Sequence, residues 1–261
     1  MGIFDIFKKN KDSANDSENS STSYLENYFK SKLKVDMTKI SYSTNDIARI
    51  EKNCEIIEKM GLSSYKELKL VPVDSIVTIE DKQELALRLI FDFFVGRKAI
   101  NRLNNRGDVD DADVMMLGVK YAPDFNQLAS TLSAISKGEI GEDQLGDLVG
   151  LGEQAVVLAW VLGFTDKPAE DKLTLGSDLV SIFEKCHNTR DLIDASTLRS
   201  KEEIMEYADY VSRLDFNCME LALTKKDPHS IKGLDFDCIR EHKTAIDQVT
   251  SFSIDSFMAS R

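Results

Sequence analysis

Between Leu85 and Val95 the only polar residues are Arg88 and Asp92. A helix that is apolar nearly all round has no face to offer water, so it must be surrounded by other elements. Arg88 and Asp92 lie four apart, on one helical face. An unpaired charge in an interior is costly, which predicts that they form an ion pair there. A second run, Ala155 to Leu162, is apolar throughout and stops at Gly163. Even carried on to Phe164 it is about half as long as a bilayer crossing requires, so it too belongs to a core. Two such helices need a multi-helix shell, and they are expected to form its centre.

The shell is legible from capping signals and period. Ser200 and Glu203 make a capping box, in which each side chain satisfies the other's backbone N–H. After it, Ile204, Tyr207, Ala208, Val211, Leu214, Cys218, Leu221 and Ala222 recur at helical spacing, which predicts a long amphipathic helix over 198–223. Its charged residues, Asp209 and Arg213 among them, are expected on the exposed side. An i,i+4 pair there contributes about 0.2–0.5 kcal/mol. Ser43 and Asp46 predict another capping box, for a helix running to Met60 and Gly61. Thr78 and Asp81 are read as caps of the first apolar helix, from Ile79 to about Leu103. Further helices are expected from Pro123–Asp124 to Lys137–Gly138, from Ser177 to about His187, and from about Asp237 to Val249. No alternating run of β-branched residues between turns is present, and no fixed repeat. The fold class predicted is all-α: a single irregular multi-helix domain with two nearly all-apolar central helices and a disordered N-terminal arm.

That arm comprises the apolar cluster Ile3, Phe4, Ile6 and Phe7 before two lysines, followed by a Ser/Asn/Asp-rich stretch from Asn10 to Ser23. The expected organisation is a short amphipathic peptide plus disordered linker over 1–23, then a helical domain over 24–261. The peptide has too little apolar area for more than weak peripheral membrane contact by Ile3–Phe7, and Ile6 stands where N-myristoylation needs Ser or Thr. No secretory signal or transmembrane segment is expected.

A formal net charge of −12 disfavours nucleic acid, whose phosphates are held by clustered Lys and Arg. It suits another cytosolic protein, a basic one, as partner. Cys54, Cys186, Cys218 and Cys238 are scattered without a CxxC pair, the pattern of a reduced, cytoplasmic chain.

No cofactor motif is found. Gly107 to Asp113 is acidic but lacks the EF-hand glycine and glutamate. Gly146, Gly150 and Gly152 satisfy neither the dinucleotide nor the P-loop pattern, and are expected to interrupt a helix or to permit close packing. Cys238 and His242, four apart on one helix, could reach one ion, but two further ligands are missing. The expectation is no metal and no cofactor. There is no GxSxG nucleophile.

Several segments resemble the bacterial domain-of-unknown-function family 4272. Ala159-Trp160-Val161-Leu162-Gly163 is similar to the family's W-A-L-G-like helix end, with valine for alanine. Arg199-Ser200-Lys201-Glu202-Glu203-Ile204 matches its R-S-x-E-E-I segment. Asp209 and Arg213-Leu214-Asp215-Phe216 follow, with phenylalanine in place of the usual tryptophan. Glu241-His242 matches an E-R/H pair, and Asp247-Gln248 departs from N-W. The resemblance is strongest over 155–250. It implies a mostly helical cytosolic domain and carries no activity, cofactor or substrate with it.

Two functions follow as expectations. One is a non-enzymatic protein–protein interaction module. The other is a hydrolase-like enzyme with an acid–base site between the 200–224 and 237–249 helices, built from Glu203, Arg213, Glu241 and His242. His242 shares the apolar face of its helix with Ile239, Ala245 and Ile246, the usual place of a core histidine with satisfied ring nitrogens. Acid–base chemistry would require those four side chains to converge on one open pocket.

Overall fold

Gly96 and Gly152 set how the centre of the protein is packed. A computed structural model of the chain describes residues 42–66, 73–104, 116, 118–121, 126–224 and 233–252. The two apolar segments lie in helices α2 (Lys82–Leu103) and α4 (Glu142–Val161), which pack on each other. Where they cross, a Cβ on Gly96 would sit 2.4 Å from the Gly152 backbone nitrogen. Glycine at position 96 lets the backbones approach so far, while a Cβ on Gly152 would instead meet the Leu175 carbonyl oxygen at 2.9 Å. The glycines of α4 therefore do not interrupt the helix: Gly146, Gly150 and Gly152 all lie within it. Of the two roles expected for them, close packing is found at Gly150, against the Glu241 side chain, and at Gly152, against the Leu175 carbonyl, while a Cβ on Gly146 would meet nothing within 4 Å.

Around this pair the remaining elements are α1 (Thr44–Lys59), α3 (Asn126–Lys137), α5 (Val180–Lys185), α6 (Thr189–Ala195), α7 (Lys201–Leu223) and α8 (Phe236–Val249). Helix α3 packs on α2, α8 on α4, and α7 on both α8 and α1. Phe93 and Phe94 of α2 meet Phe183 of α5, with Phe93 stacked on Phe183 at 4.4 Å between centroids. Each such buried ring contributes roughly 1.5–3 kcal/mol. The residues from Tyr42 onward form one unit, and its architecture is all-α.

The capping boxes at Ser43–Asp46 and Ser200–Glu203 are both present. Elsewhere helix starts differ from expectation. Asp81 alone caps α2, accepting from the Gln83 N–H at 2.8 Å. Thr78 instead lies in a three-residue strand, β1 (Val77–Ile79), paired antiparallel with β2 (Thr250–Phe252). Strands this short have no alternation to read, and the two partners are more than 170 residues apart in the chain. Ser177 opens a 3₁₀ turn rather than a helix, and α6, capped by Asn188, was not foreseen. Arg88 and Asp92 are paired at 3.4 Å as expected. The amphipathic peptide and linker of 1–23, the acidic stretch 107–113 and the proposed start at Pro123–Asp124 lie outside the described residues. Among the described residues no helix is long and apolar enough to cross a membrane.

Candidate functional site

Helices α4, α7 and α8 meet around His242. On α8, the residues Cys238, Ile239, His242, Ala245, Ile246 and Val249 form one buried face. His242 and Cys238 lie one turn apart there, and both are fully buried. His242 Nδ1 is 2.8 Å from the Tyr207 hydroxyl of α7. Its Nε2 is 3.0 Å from Oε1 of Glu153, on α4, and 3.5 Å from Cys238 Sγ. Cys238 Sγ in turn lies 3.6 Å from Glu153 Oε1 and 3.5 Å from the Ala169 carbonyl oxygen.

Glu153 is 0 % exposed and its two carboxylate oxygens do different work. Oε2 accepts from the backbone N–H groups of Thr174 and Leu175, each at 2.7 Å. Leu175 has φ 52, in the left-handed region that disfavours side chains, so the carboxylate holds a strained turn in place. Oε1 faces His242 and Cys238. Burial alone would raise the Glu153 carboxyl, but the hydrogen bonds from His242 and from the Leu175 and Thr174 amides outweigh it and hold the group below its usual range. The Cys238 thiol moves the other way, pushed up by burial and by the Glu153 carboxylate beside it.

The four residues named as acid–base candidates each make separate contacts. Glu203 completes the capping box at the start of α7, accepting from the Ser200 N–H at 3.1 Å, and pairs with Arg199. Glu241 accepts from Gln154 Nε2 at 2.8 Å and lies 3.8 Å from Arg240. His242 is enclosed as described. Arg213 corrects the expectation of an exposed pair: it and Asp209 are 0 % and 1 % exposed. Arg213 grips Asp209 with two nitrogens at 3.0 and 3.1 Å, and donates to the carbonyls of Ser64 and Tyr65. Asn53 of α1 donates to the same aspartate. A one-sided α7 stripe is not what the packing shows. With α1 and α8 both packed on it, the side bearing Asp209 and Arg213 is covered as well.

Arg199 joins two of the segments that carried the resemblance. Its Nε donates to the Trp160 carbonyl at 3.1 Å and its Nη2 to the Thr165 carbonyl at 3.0 Å, closing the end of α4. A cation at a helix C-terminus meets the negative end of its dipole. A family model described as Domain of unknown function (DUF4272) matches residues 49–257. The chain belongs to this family. No curated protein and no solved structure matches it. The DUF4272 residues recognised in the sequence do structural work here: Trp160, Arg199, Ser200 and Glu203 tie α4 to α7, and Asp209 with Arg213 ties α7 to the segment after α1.

Glu153 was missed in the sequence. The signal was an acid between Gly152 and the apolar run of α4 that starts at Ala155, where a buried charge needs partners. Its partners, 21 and 22 residues later on Oε2 and 85 and 89 residues later on Oε1, could not be seen in sequence.

Proposed function

We propose that the domain is a non-enzymatic protein–protein interaction module. The observation that carries this is His242: acid–base chemistry needs a histidine open to substrate, and this one is 0 % exposed with a partner on each ring nitrogen. Glu203, Arg213 and Glu241 are each committed to separate structural contacts. Surface features favour binding. Met116 and Val119, three residues apart in sequence, are 70 % and 64 % exposed and offer a small apolar point of contact. The net charge of −12 suits a basic partner in the same cytoplasm. In this reading residues 1–23 serve as the tether.

The test is quantitative cross-linked pull-down from host lysate, comparing the full chain with a Met116→Asp/Val119→Asp variant that retains its helical circular dichroism. A basic protein held by the parent, released by salt and lost in the variant supports the proposal. Equal recovery by both chains, or none by either, overturns it.

A further inference from the structure

Glu153, His242 and Cys238 bring an oxygen, a nitrogen and a sulfur together in one buried triangle. Its two edges to sulfur lie in the zinc-ligand range. Its Oε1–Nε2 edge, a hydrogen bond at 3.0 Å, would open by a few tenths of an ångström around an ion. The triangle's ligand-type atoms are Oε1, Nε2 and Sγ, separated by 3.0, 3.5 and 3.6 Å. Two ligands about 2.0–2.3 Å from a zinc ion at the tetrahedral angle lie roughly 3.3–3.8 Å apart. Oxygen, nitrogen and sulfur donors together are the set that zinc and cobalt accept, and that magnesium and calcium do not. We propose that these three side chains form a buried site for one zinc ion.

The surroundings are those of a zinc site. A ligating histidine is held by a hydrogen bond from its other nitrogen, and Tyr207 stands 2.8 Å from Nδ1. A ligating carboxylate is fixed through its second oxygen, and Glu153 Oε2 is fixed by the Thr174 and Leu175 amides. The protein oxygen beside the triangle that could approach a fourth position is the Ala169 carbonyl, 3.5 Å from Sγ. Binding releases the Cys238 thiol proton to solvent. The imidazole proton then resides on Nδ1 and is donated to the Tyr207 oxygen, leaving the Nε2 lone pair for the metal. Because all three ligands are buried, the ion enters as the chain folds rather than by diffusion into the finished protein. The site is independent of the proposed contact surface at Met116 and Val119.

The full chain, unfolded in denaturant with chelator, is refolded with and without one equivalent of Zn²⁺ or Co²⁺. The expected result is one bound ion per chain, a tetrahedral cobalt spectrum with thiolate charge-transfer bands, and a higher Tm for the zinc form. Cys238→Ala removes the cobalt spectrum, and Tyr207→Phe, which keeps the ring but not the hydroxyl, weakens affinity about tenfold. Should Cys238→Ala fail to fold, the parent cobalt spectrum and the zinc-dependent Tm decide alone. Refolding to the same Tm with and without zinc, with no cobalt thiolate bands, overturns the proposal and leaves a hydrogen-bonded core cluster. Bands that persist in a folded Cys238→Ala chain overturn it as well.

Discussion

Arg213 and Asp209 lie one turn apart on α7 and are both enclosed, joined by two hydrogen bonds at 3.0 and 3.1 Å. Removing one partner of a buried pair strands the other charge, at a cost of about 3–5 kcal/mol. Arg213→Ala is therefore expected to lower unfolding free energy by that order in denaturant titrations. An exposed pair would cost only a few tenths. The double replacement Asp209→Leu/Arg213→Met should recover only part of the loss, because the carbonyls of Ser64 and Tyr65 would still lack the guanidinium that serves them.

Gly96 and Gly146 should respond oppositely to alanine. A methyl group on Gly96 meets the Gly152 backbone, which cannot move aside as a flexible side chain would. Gly96→Ala is expected to destabilise by about 1–3 kcal/mol or more. Around Gly146 a Cβ meets nothing within 4 Å. There alanine lowers the entropy of the unfolded chain and should stabilise α4 by about 0.5–1 kcal/mol. Thermal melts of the two variants provide the comparison.

Asp92 should make stability fall as pH rises. Burial pushes its carboxyl up to about 7, and the Arg88 guanidinium only partly offsets that. In the unfolded chain the group titrates near 4, so between about pH 4 and pH 7 the folded state holds more proton than the unfolded state. Its contribution is fully present below pH 4 and is lost as pH climbs through 7. Asp92→Asn should flatten this part of the profile and gain about 1–2 kcal/mol over the parent at pH 8, measured by urea unfolding at pH 5 and pH 8.

The thiols should be silent in the folded protein. Cys54, Cys186, Cys218 and Cys238 are all free and buried. Burial is the main force raising each of them, to about 12 at Cys218. Only the thiolate attacks a disulfide reagent. At pH 8 an aromatic disulfide reagent should label the native chain slowly, and all four sites at once after denaturant. Fast labelling of any one without denaturant would contradict the packing.

Much of the architecture was determined by the sequence itself, because its causes are local. The two capping boxes, the apolar runs of α2 and α4, the stop at Gly163 and the apolar face of α8 depend on residues a few positions apart. The resemblance to the DUF4272 family likewise sat in short contiguous motifs, and the family match extends over 49–257. Tertiary structure alone decided what lies between helices. Periodicity cannot tell whether a polar face meets water or a second helix, so Asp209 and Arg213 looked solvated and are enclosed. β1 and β2 pair across most of the described chain, and neither shows a period. Cys238 and His242 could be read as neighbours on α8. Their third companion, Glu153, stands on another helix, and only packing brings its carboxylate within 3.0 Å of the imidazole.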